Sequence, residues 1–265
     1  MEKYGFIGTG NMGSALVKAV SKKVPAENII LNDVDLNKAE KLASQINCKI
    51  GSLKETTEFA DFIYIGIKPQ SIEKLFDEFG PLLRNTNKRI ILVSMLAGTE
   101  INKIELYAGK KIPVIRIMPN IACSIGEGTT LYTANSEVTK NELKIFADNM
   151  EYSGLCIELP EKLINAGSAI SGCGPAFMFM MAEALADAGV ECGLSRKISY
   201  ELAAQTISGS GKLIIESGRL PASLKDDVCS PGGTTIEGVF QLENGNFRAS
   251  VMKAVKASYE KNFKL

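Results

Sequence analysis

The chain predicts an α/β protein in two parts, an N-terminal doubly wound, mostly parallel sheet followed by an all-helical C-terminal domain. Three observations carry this. Short β-rich runs alternate with helical patterns as far as about Glu158, the alternation that builds a parallel sheet with helices on its faces. A glycine fingerprint sits between the first of those runs and the first helical pattern. From Glu161 onward the strand signal fades and only helical patterns remain.

The first element is the apolar run Tyr4 to Ile7, followed by Gly8-Thr9-Gly10-Asn11-Met12-Gly13 and then by Ser14 to Val20, which has helical character. This is strand, G-x-G-x-x-G, helix. In a Rossmann-type dinucleotide unit Gly8 makes the tight turn, Gly10 lets the backbone approach a pyrophosphate, and Gly13 lets the helix pack closely on the strand. A lone fingerprint is a weak signal, but the context here is the one it requires. A second strand, Ile29 to Leu31, ends at Asn32-Asp33, and Asp33 lies 20 residues beyond Gly13, where an acid meets the adenosine ribose.

Phe62 to Ile65, Ile90 to Val93 and Val114 to Met118 read as further strands, with Asn37 to Ile46 and Ile72 to Phe79 as helices between them. In such sheets the ligand lies beyond the carboxyl ends of the strands, which singles out Lys68-Pro69, Ala97-Gly98 and Met118-Pro119-Asn120. Lys68 reads equally well as a solvated lysine at a strand end. In the second half Leu163 to Ser168, Ala176 to Ala188, Arg196 to Ser217, Thr234 to Leu242 and Arg248 to Lys261 read as helices. The expected division is 1–160 for the dinucleotide domain and 161–265 for the helical one.

Leu163 to Ala182 carries no charged residue and is long enough to span a bilayer. Asn165, Gly167, Ser168, Ser171, Gly172, Gly174 and Pro175 interrupt it, so it reads as two helices of a soluble protein, the second starting at Pro175. Phe177, Met181, Ala184 and Ala188 then share one face, for core or a subunit contact, and Met178, Met180 and Met181 read as packing.

Near the C-terminus the helical pattern is broken by Asp226-Asp227-Val228-Cys229-Ser230-Pro231-Gly232-Gly233-Thr234-Thr235. Ser-Pro-Gly-Gly cannot continue a helix, yet it can present several backbone N–H groups in a turn that feeds a helix N-terminus at Thr234 and Thr235. Amides so arranged attract a carboxylate or phosphate. The same residues also make an ordinary helix–helix turn, and turn chemistry alone does not separate the two.

Composition suits a globular enzyme with a small-molecule ligand: 265 residues, 45% hydrophobic, with 30 basic residues balancing 30 acidic ones, which removes any general electrostatic case for nucleic acid or membrane. The six cysteines form no C-x-x-C pair, so reduced and mostly buried thiols are expected, with no metal site. The first strand begins within a few residues of Met1, which points to the cytoplasm. The chain has no histidine. Many carbonyl reductases use histidine, lysine or tyrosine to protonate the oxygen as hydride arrives. A cyclic imine is basic enough to take its proton from solvent, so a histidine-free reductase suits a C=N substrate, although Lys68 or Tyr132 could serve a carbonyl.

Phe6 to Gly13, Ile67-Lys68-Pro69, Arg116-Ile117-Met118-Pro119-Asn120, Ser171-Gly172-Cys173-Gly174-Pro175-Ala176-Phe177 and Asp226 to Thr235 together resemble pyrroline-5-carboxylate reductase, in the family order and over nearly the whole chain. The Ser-Pro-Gly-Gly-Thr-Thr block is the most specific part. The resemblance implies reduction of 1-pyrroline-5-carboxylate to L-proline with NADPH or NADH, the last step of proline synthesis. It also implies a Rossmann domain followed by a helical dimerisation domain, giving at least a homodimer and in some members a decamer.

By that resemblance Ser230, Gly232, Gly233, Thr234 and Thr235 hold the substrate carboxylate. Thr235 orients the imine nitrogen and Val228 lines the ring. Gly8, Gly10, Asn11, Met12, Gly13, Asn32 and Asp33 bind the nucleotide, while Lys68, Pro69, Ala97 and Asn120 border its nicotinamide half. Family members that prefer NADPH carry Ser, Thr or Arg after the second strand. Asn32-Asp33-Val34 stands there in this chain, and an aspartate repels a phosphate, so the lean is to NADH, with Lys38 the residue that could still accommodate NADPH. Asp227 is expected to face solvent or a basic partner, and Cys173, where serine is more usual, to be a small core residue. Two other classes share parts of this plan. A relative of the hydroxyacid and 6-phosphogluconate dehydrogenases would need a lysine such as Lys212 or Lys225 at the nicotinamide, and a non-catalytic nicotinamide-binding protein would not need the complete anion turn.

Overall fold

The computed structural model describes residues 2–263. One eight-stranded sheet is built from β1 (Tyr4–Ile7), β2 (Ile29–Asn32), β3 (Lys49–Ile50), β4 (Phe62–Ile65), β5 (Ile91–Ser94), β6 (Val114–Pro119), β7 (Gly128–Ala134) and β8 (Gly154–Glu158). Its order is 3-2-1-4-5-6-7-8, with β3 to β6 all parallel, β7 antiparallel to β6, and β8 parallel to β7. The mostly parallel, doubly wound expectation therefore holds. Consecutive parallel strands need crossovers, and these are α1 (Asn11–Val20), α2 (Leu36–Ile46), α3 (Leu53–Phe59), α4 (Ile72–Asn85) and α5 (Ile101–Ala108). Beyond β6 follow α6 (Lys140–Asn149), between the last two strands, and α7 (Glu161–Ser171).

Every residue of β1, β4 and β5 is buried, as expected of strands covered on both faces. Alternate side chains enter two separate cores. Phe6, Leu31, Tyr64, Val93 and Ile115 pack with Leu16, Val17 and Val20 of α1 and with Phe146 of α6, and the Phe6 and Tyr64 rings stack at 4.6 Å. Ile63, Ile65, Leu92 and Val114 pack on the other face with Phe76, Phe79 and Leu83 of α4 and Ile104 of α5. This second core is why α4 runs six residues beyond the expected Phe79. Leu83 is buried there, and its packing outweighs the backbone donor that Pro81 lacks.

By compactness the described residues form two units, 2–172 with 259–263, and 173–258. The division expected at 160 follows the end of the strand pattern in the sequence; by compactness α7 groups with the sheet, on which it packs. Leu131 of β7 lies against Gly167, where a Cβ would meet its Cδ1 at 2.5 Å. The second unit consists of α8 (Gly174–Glu191), α9 (Arg196–Ser217), α10 (Pro221–Val228), α11 (Thr234–Asn244) and α12 (Phe247–Asn262), whose last residues return to the first unit. The stretch Glu161–Glu191 is long and apolar enough to cross a membrane by composition, but the helix is broken at Gly172 and Cys173, as the sequence suggested. In the single chain the second unit exposes large apolar side chains, among them Phe179, Met180, Ile215 and Phe240.

Two expectations need correction. All six cysteines are free, yet only Cys123 is buried; Cys192 is exposed and the others, Cys173 included, are half-buried. Cys123 belongs to the first core and Cys48 and Cys156 pack against it, while Cys173, Cys192 and Cys229, at helix ends, belong to neither core. The strands β7 and β8, and helices α3, α5, α6 and α10, were also not anticipated as elements.

Candidate functional site

Five of the sequence-predicted positions gather at the carboxyl ends of β1, β2 and β4, around the switch point where the strand order reverses. There a cavity of about 390 Å³ is lined by Gly8, Gly10, Asn32, Asp33 and Lys68 together with the fully exposed Val34. A neighbouring cavity of about 680 Å³ runs from Gly10, Asn11 and Met12 along α1 and α2 past Lys18, Lys38 and Lys41. Lys18 and Lys41 escaped the sequence reading because nothing in their local pattern distinguishes them from solvated surface. Ala97 and Asn120 stand at the carboxyl ends of β5 and β6, and Pro69 opens the short 3-10 turn after β4, but these three line neither cavity.

The glycine loop has the geometry a dinucleotide needs. Gly8 adopts φ +96°, and a Cβ there would sit 2.6 Å from the Gly66 carbonyl oxygen at the end of β4. A Cβ on Gly13 would come within 2.1 Å of the Gly8 oxygen, so only glycine lets α1 start this close to β1. Gly10 is different. A Cβ on it meets nothing within 4 Å, and its φ of −63° suits any residue. Nothing in the protein demands glycine at that position, which leaves the approach of a ligand as its physical reason. No side chain caps α1, so its first-turn amides have no side-chain acceptor, as at a helix N-terminus that can receive an anion.

Asp33 has a second task that the sequence did not show. Its Oδ2 accepts the Thr9 N–H and, at 2.8 Å, the Thr9 hydroxyl, while Oδ1 accepts the Asp35 N–H at 2.9 Å. Partial burial pushes its carboxyl up, but these bonds and the charge of Lys38 outweigh that, and its pKa falls below the ordinary value. The group is therefore ionised at neutral pH and ties the end of β2 to the glycine loop. Ser14 completes the loop by donating to the Thr9 carbonyl at 2.7 Å.

Asn120 is 9% exposed and three of its four hydrogen-bonding positions are committed. Its Oδ1 accepts the N–H groups of Ala122 and Thr129, each at 3.2 Å, and its Nδ2 donates to the Ser171 carbonyl at 2.9 Å. Nearby, Arg116 is 1% exposed; it donates to Glu161 at 3.1 Å and to Asn165 at 3.3 Å, while its Nε finds no acceptor. A buried N–H without a partner costs about 1–3 kcal/mol.

In the second unit the Ser230-Pro231-Gly232-Gly233 segment is a tight turn. Gly233 N–H donates to the Ser230 carbonyl at 3.0 Å, and Gly232 takes the left-handed conformation at φ +65°. A Cβ on Gly233 would lie 2.3 Å from Ser230 Oγ, a side-chain end that can rotate away, and 3.1 Å from the Ser230 carbonyl oxygen, so the turn is close at this position. Gly233 is the N-cap of α11 and supplies no capping side chain, which leaves the amides of Thr234 and Thr235 without one. Val228, 64% exposed, ends α10 just before the turn. Asp227 faces a basic partner as expected: Arg219 donates to it at 2.6 Å and holds its carboxyl below the usual value. Lys225 pairs with Asp226, which ties up one of the lysines a carbonyl mechanism would require. Among the described residues no cluster of His, Cys, Asp or Glu could hold a metal ion.

A 3-2-1-4-5-6 parallel sheet with a glycine loop at its switch point and an acid closing the second strand defines a nicotinamide-dinucleotide oxidoreductase fold. Residues 161–265 match the family model for pyrroline-5-carboxylate reductase dimerisation, and residues 3–98 match that for the coenzyme F420-dependent NADP oxidoreductases. The chain is 38% identical to pyrroline-5-carboxylate reductase 3 of Danio rerio, over 98% of this chain and 90% of the relative. It is 35% identical to the pyrroline-5-carboxylate reductase of Arabidopsis thaliana, over 99% of this chain and 95% of that one. Among solved structures it resembles the Plasmodium falciparum pyrroline carboxylate reductase with NADP bound, at 33% identity and a TM-score of 0.88, covering 99% of this chain and 97% of that one. The chain belongs to the pyrroline-5-carboxylate reductase family.

Proposed function

We propose that the protein reduces the C=N bond of 1-pyrroline-5-carboxylate to give L-proline, closing proline synthesis, with NADPH or NADH as donor and a lean to NADH. The observation that carries this reading is the turn at 230–235. It combines an uncapped helix N-terminus, a left-handed glycine and three hydroxyls, a set of donors that suits a small carboxylate. Ser230, Gly232, Thr234 and Thr235 hold the carboxylate, Gly233 closes the turn by donating its N–H to the Ser230 carbonyl, and Val228 covers the apolar side of the ring. Thr235 orients the imine nitrogen by hydrogen bonding and is the catalytic residue in that sense. The imine takes its proton from solvent, in keeping with a chain that has no histidine.

A bound nicotinamide supplies the hydride. The protein's part is to bind it: Gly8, Gly10 and Gly13 shape the pyrophosphate loop with Asn11 and Met12, Asn32 and Asp33 take the adenosine ribose, and Lys68, Pro69 and Ala97 border the nicotinamide, with Asn120 behind them, its amide bonded to Ser171, Ala122 and Thr129. The lean to NADH rests on the ionised Asp33 in the cavity wall, which opposes a 2′-phosphate. The exposed apolar residues of α8 to α12 suit a second copy of the chain, in a dimer that can assemble further to a decamer. The neutral charge balance and free cysteines support a cytoplasmic enzyme without nucleic-acid or membrane partners.

The test is loss of nicotinamide absorbance when the protein is mixed with racemic 1-pyrroline-5-carboxylate and NADH or NADPH. Turnover that drops at least tenfold in Thr235→Ala is the expected result. Tight nucleotide binding without turnover would sink the reductase reading, and a kcat/KM with NADPH equal to or above that with NADH would sink the lean.

A further inference from the structure

Helix α7 is tied to strand β6 at both ends by side chains four residues apart. At one end Arg116 reaches Glu161, the first residue of α7, at 3.1 Å, and Asn165 at 3.3 Å. The same Glu161 oxygen accepts the N–H of Ile101, the first residue of α5, at 2.8 Å. At the other end Asn120 donates to the carbonyl of Ser171, the last residue of α7, at 2.9 Å. The spans agree: ten helical residues rise about 15 Å and four extended ones about 13 Å. Helix and strand thus run side by side in the same direction, with a fastener at each end.

The Asn120 fastener also reaches in a second direction. Its oxygen accepts from Ala122, capping the short 3-10 helix Ile121–Ile125, and from Thr129 of β7. Two N–H groups on one side of the amide and a carbonyl on the other determine which end is oxygen. One side chain therefore joins the end of β6, the loop after it, β7 and the end of α7. Stability alone does not call for this arrangement, since apolar side chains can fill a protein interior as well as a buried ion pair does. What polar fasteners add is one position and rotation for α7.

We infer that Asn120, backed by the Arg116–Glu161 pair, is a positioning residue of the reductase. It sets the end of α7 and the loop after β6 at the carboxyl edge of the sheet, and its amide is spent on protein rather than on the nicotinamide. The kinetic part of this inference rests on the proposed reductase activity.

Asn120→Asp tests it, because aspartate keeps the acceptor for Ala122 and Thr129 but has no N–H for Ser171. The nucleotide-free variant is expected to exchange backbone amides in 167–172 at least tenfold faster than wild type. Its kcat should fall at least tenfold while the Kd for NADH stays within twofold. Unchanged exchange, faster exchange with unchanged kcat, or a loss of NADH affinity as large as the loss of kcat would each overturn the inference, the last by making Asn120 a direct cofactor contact. Should the aspartate variant fail to fold, Asn120→Ser, which also caps but cannot reach Ser171, enters the same measurements. If the wild-type protein shows no imine reduction, the activity reading fails, and exchange in 167–172 alone decides the fastening.

Discussion

Replacing Gly10 and Gly13 separately by alanine should divide the glycine fingerprint into a part that serves the ligand and a part that serves the fold. A Cβ at Gly13 would lie 2.1 Å from the Gly8 oxygen, where ordinary contact begins at 3.4 Å, so two backbone segments must part by roughly 1.3 Å. Neither is a flexible side-chain end that can swing aside. Overpacking of this kind costs about 1–3 kcal/mol. For a chain of this size that lowers Tm by roughly 2–10 °C. The displaced loop should also lose at least tenfold in nucleotide affinity. Gly10→Ala meets no protein atom within 4 Å and needs no unusual backbone angle, so its Tm should stay within about 1 °C of wild type. Its Cβ would occupy the path of the pyrophosphate, and NADH affinity should fall at least tenfold, about 1.4 kcal/mol. Thermal denaturation and fluorescence titration with NADH read both effects. An alanine at Gly10 that binds NADH as tightly as wild type would refute the placement of the pyrophosphate against that backbone.

Asp33→Ser should raise the ratio of kcat/KM for NADPH over NADH at least tenfold, measured by initial rates, since it removes the fixed negative charge and leaves a hydroxyl near Lys38. An unchanged ratio would mean that Asp33 serves only to hold Thr9. Glu142 accepts from Arg89 at 2.6 Å and from the Thr139 amide at 2.8 Å, and its pKa is lowered to about 2, first by the Arg89 bond. A depressed carboxyl contributes stability above its unfolded value near 4.5 and loses it as pH falls through about 2. Glu142→Gln should therefore cost about 1 kcal/mol at pH 7, the small size reflecting a half-exposed Arg89, and its deficit should shrink between pH 4.5 and 2 in urea melts.

Much of the site was legible because its signals are local. The strand, glycine loop and helix at 4–20, the acid at 33 and the Pro-Gly-Gly turn at 231–233 each follow from a few adjacent residues whose backbone freedom is unusual. The helix expected over Arg196 to Ser217 has those bounds, since Ser195 caps it and Gly218 ends it. Two overlooked helices carried readable signals of the same kind. Ser52 with Glu55 and Thr139 with Glu142 are capping boxes at the starts of α3 and α6. The strands β7 and β8 were harder, because half their side chains face away from the core and they lack the continuous apolar run of β4 or β5.

Taken alone, the sequence determined the class of fold, the glycine loop after the first strand and the Ser-Pro-Gly-Gly turn, since each depends on the conformational limits of glycine and proline and on apolar patterns a few residues long. Tertiary structure decided what those residues do to one another. Asp33 holds Thr9 across 24 positions, Arg116 reaches Glu161 across 45 and Asn120 reaches Ser171 across 51. No periodicity encodes such pairs. They exist because the strand order brings distant chain segments side by side, and buried polar groups bond to whatever donor or acceptor that order places within reach.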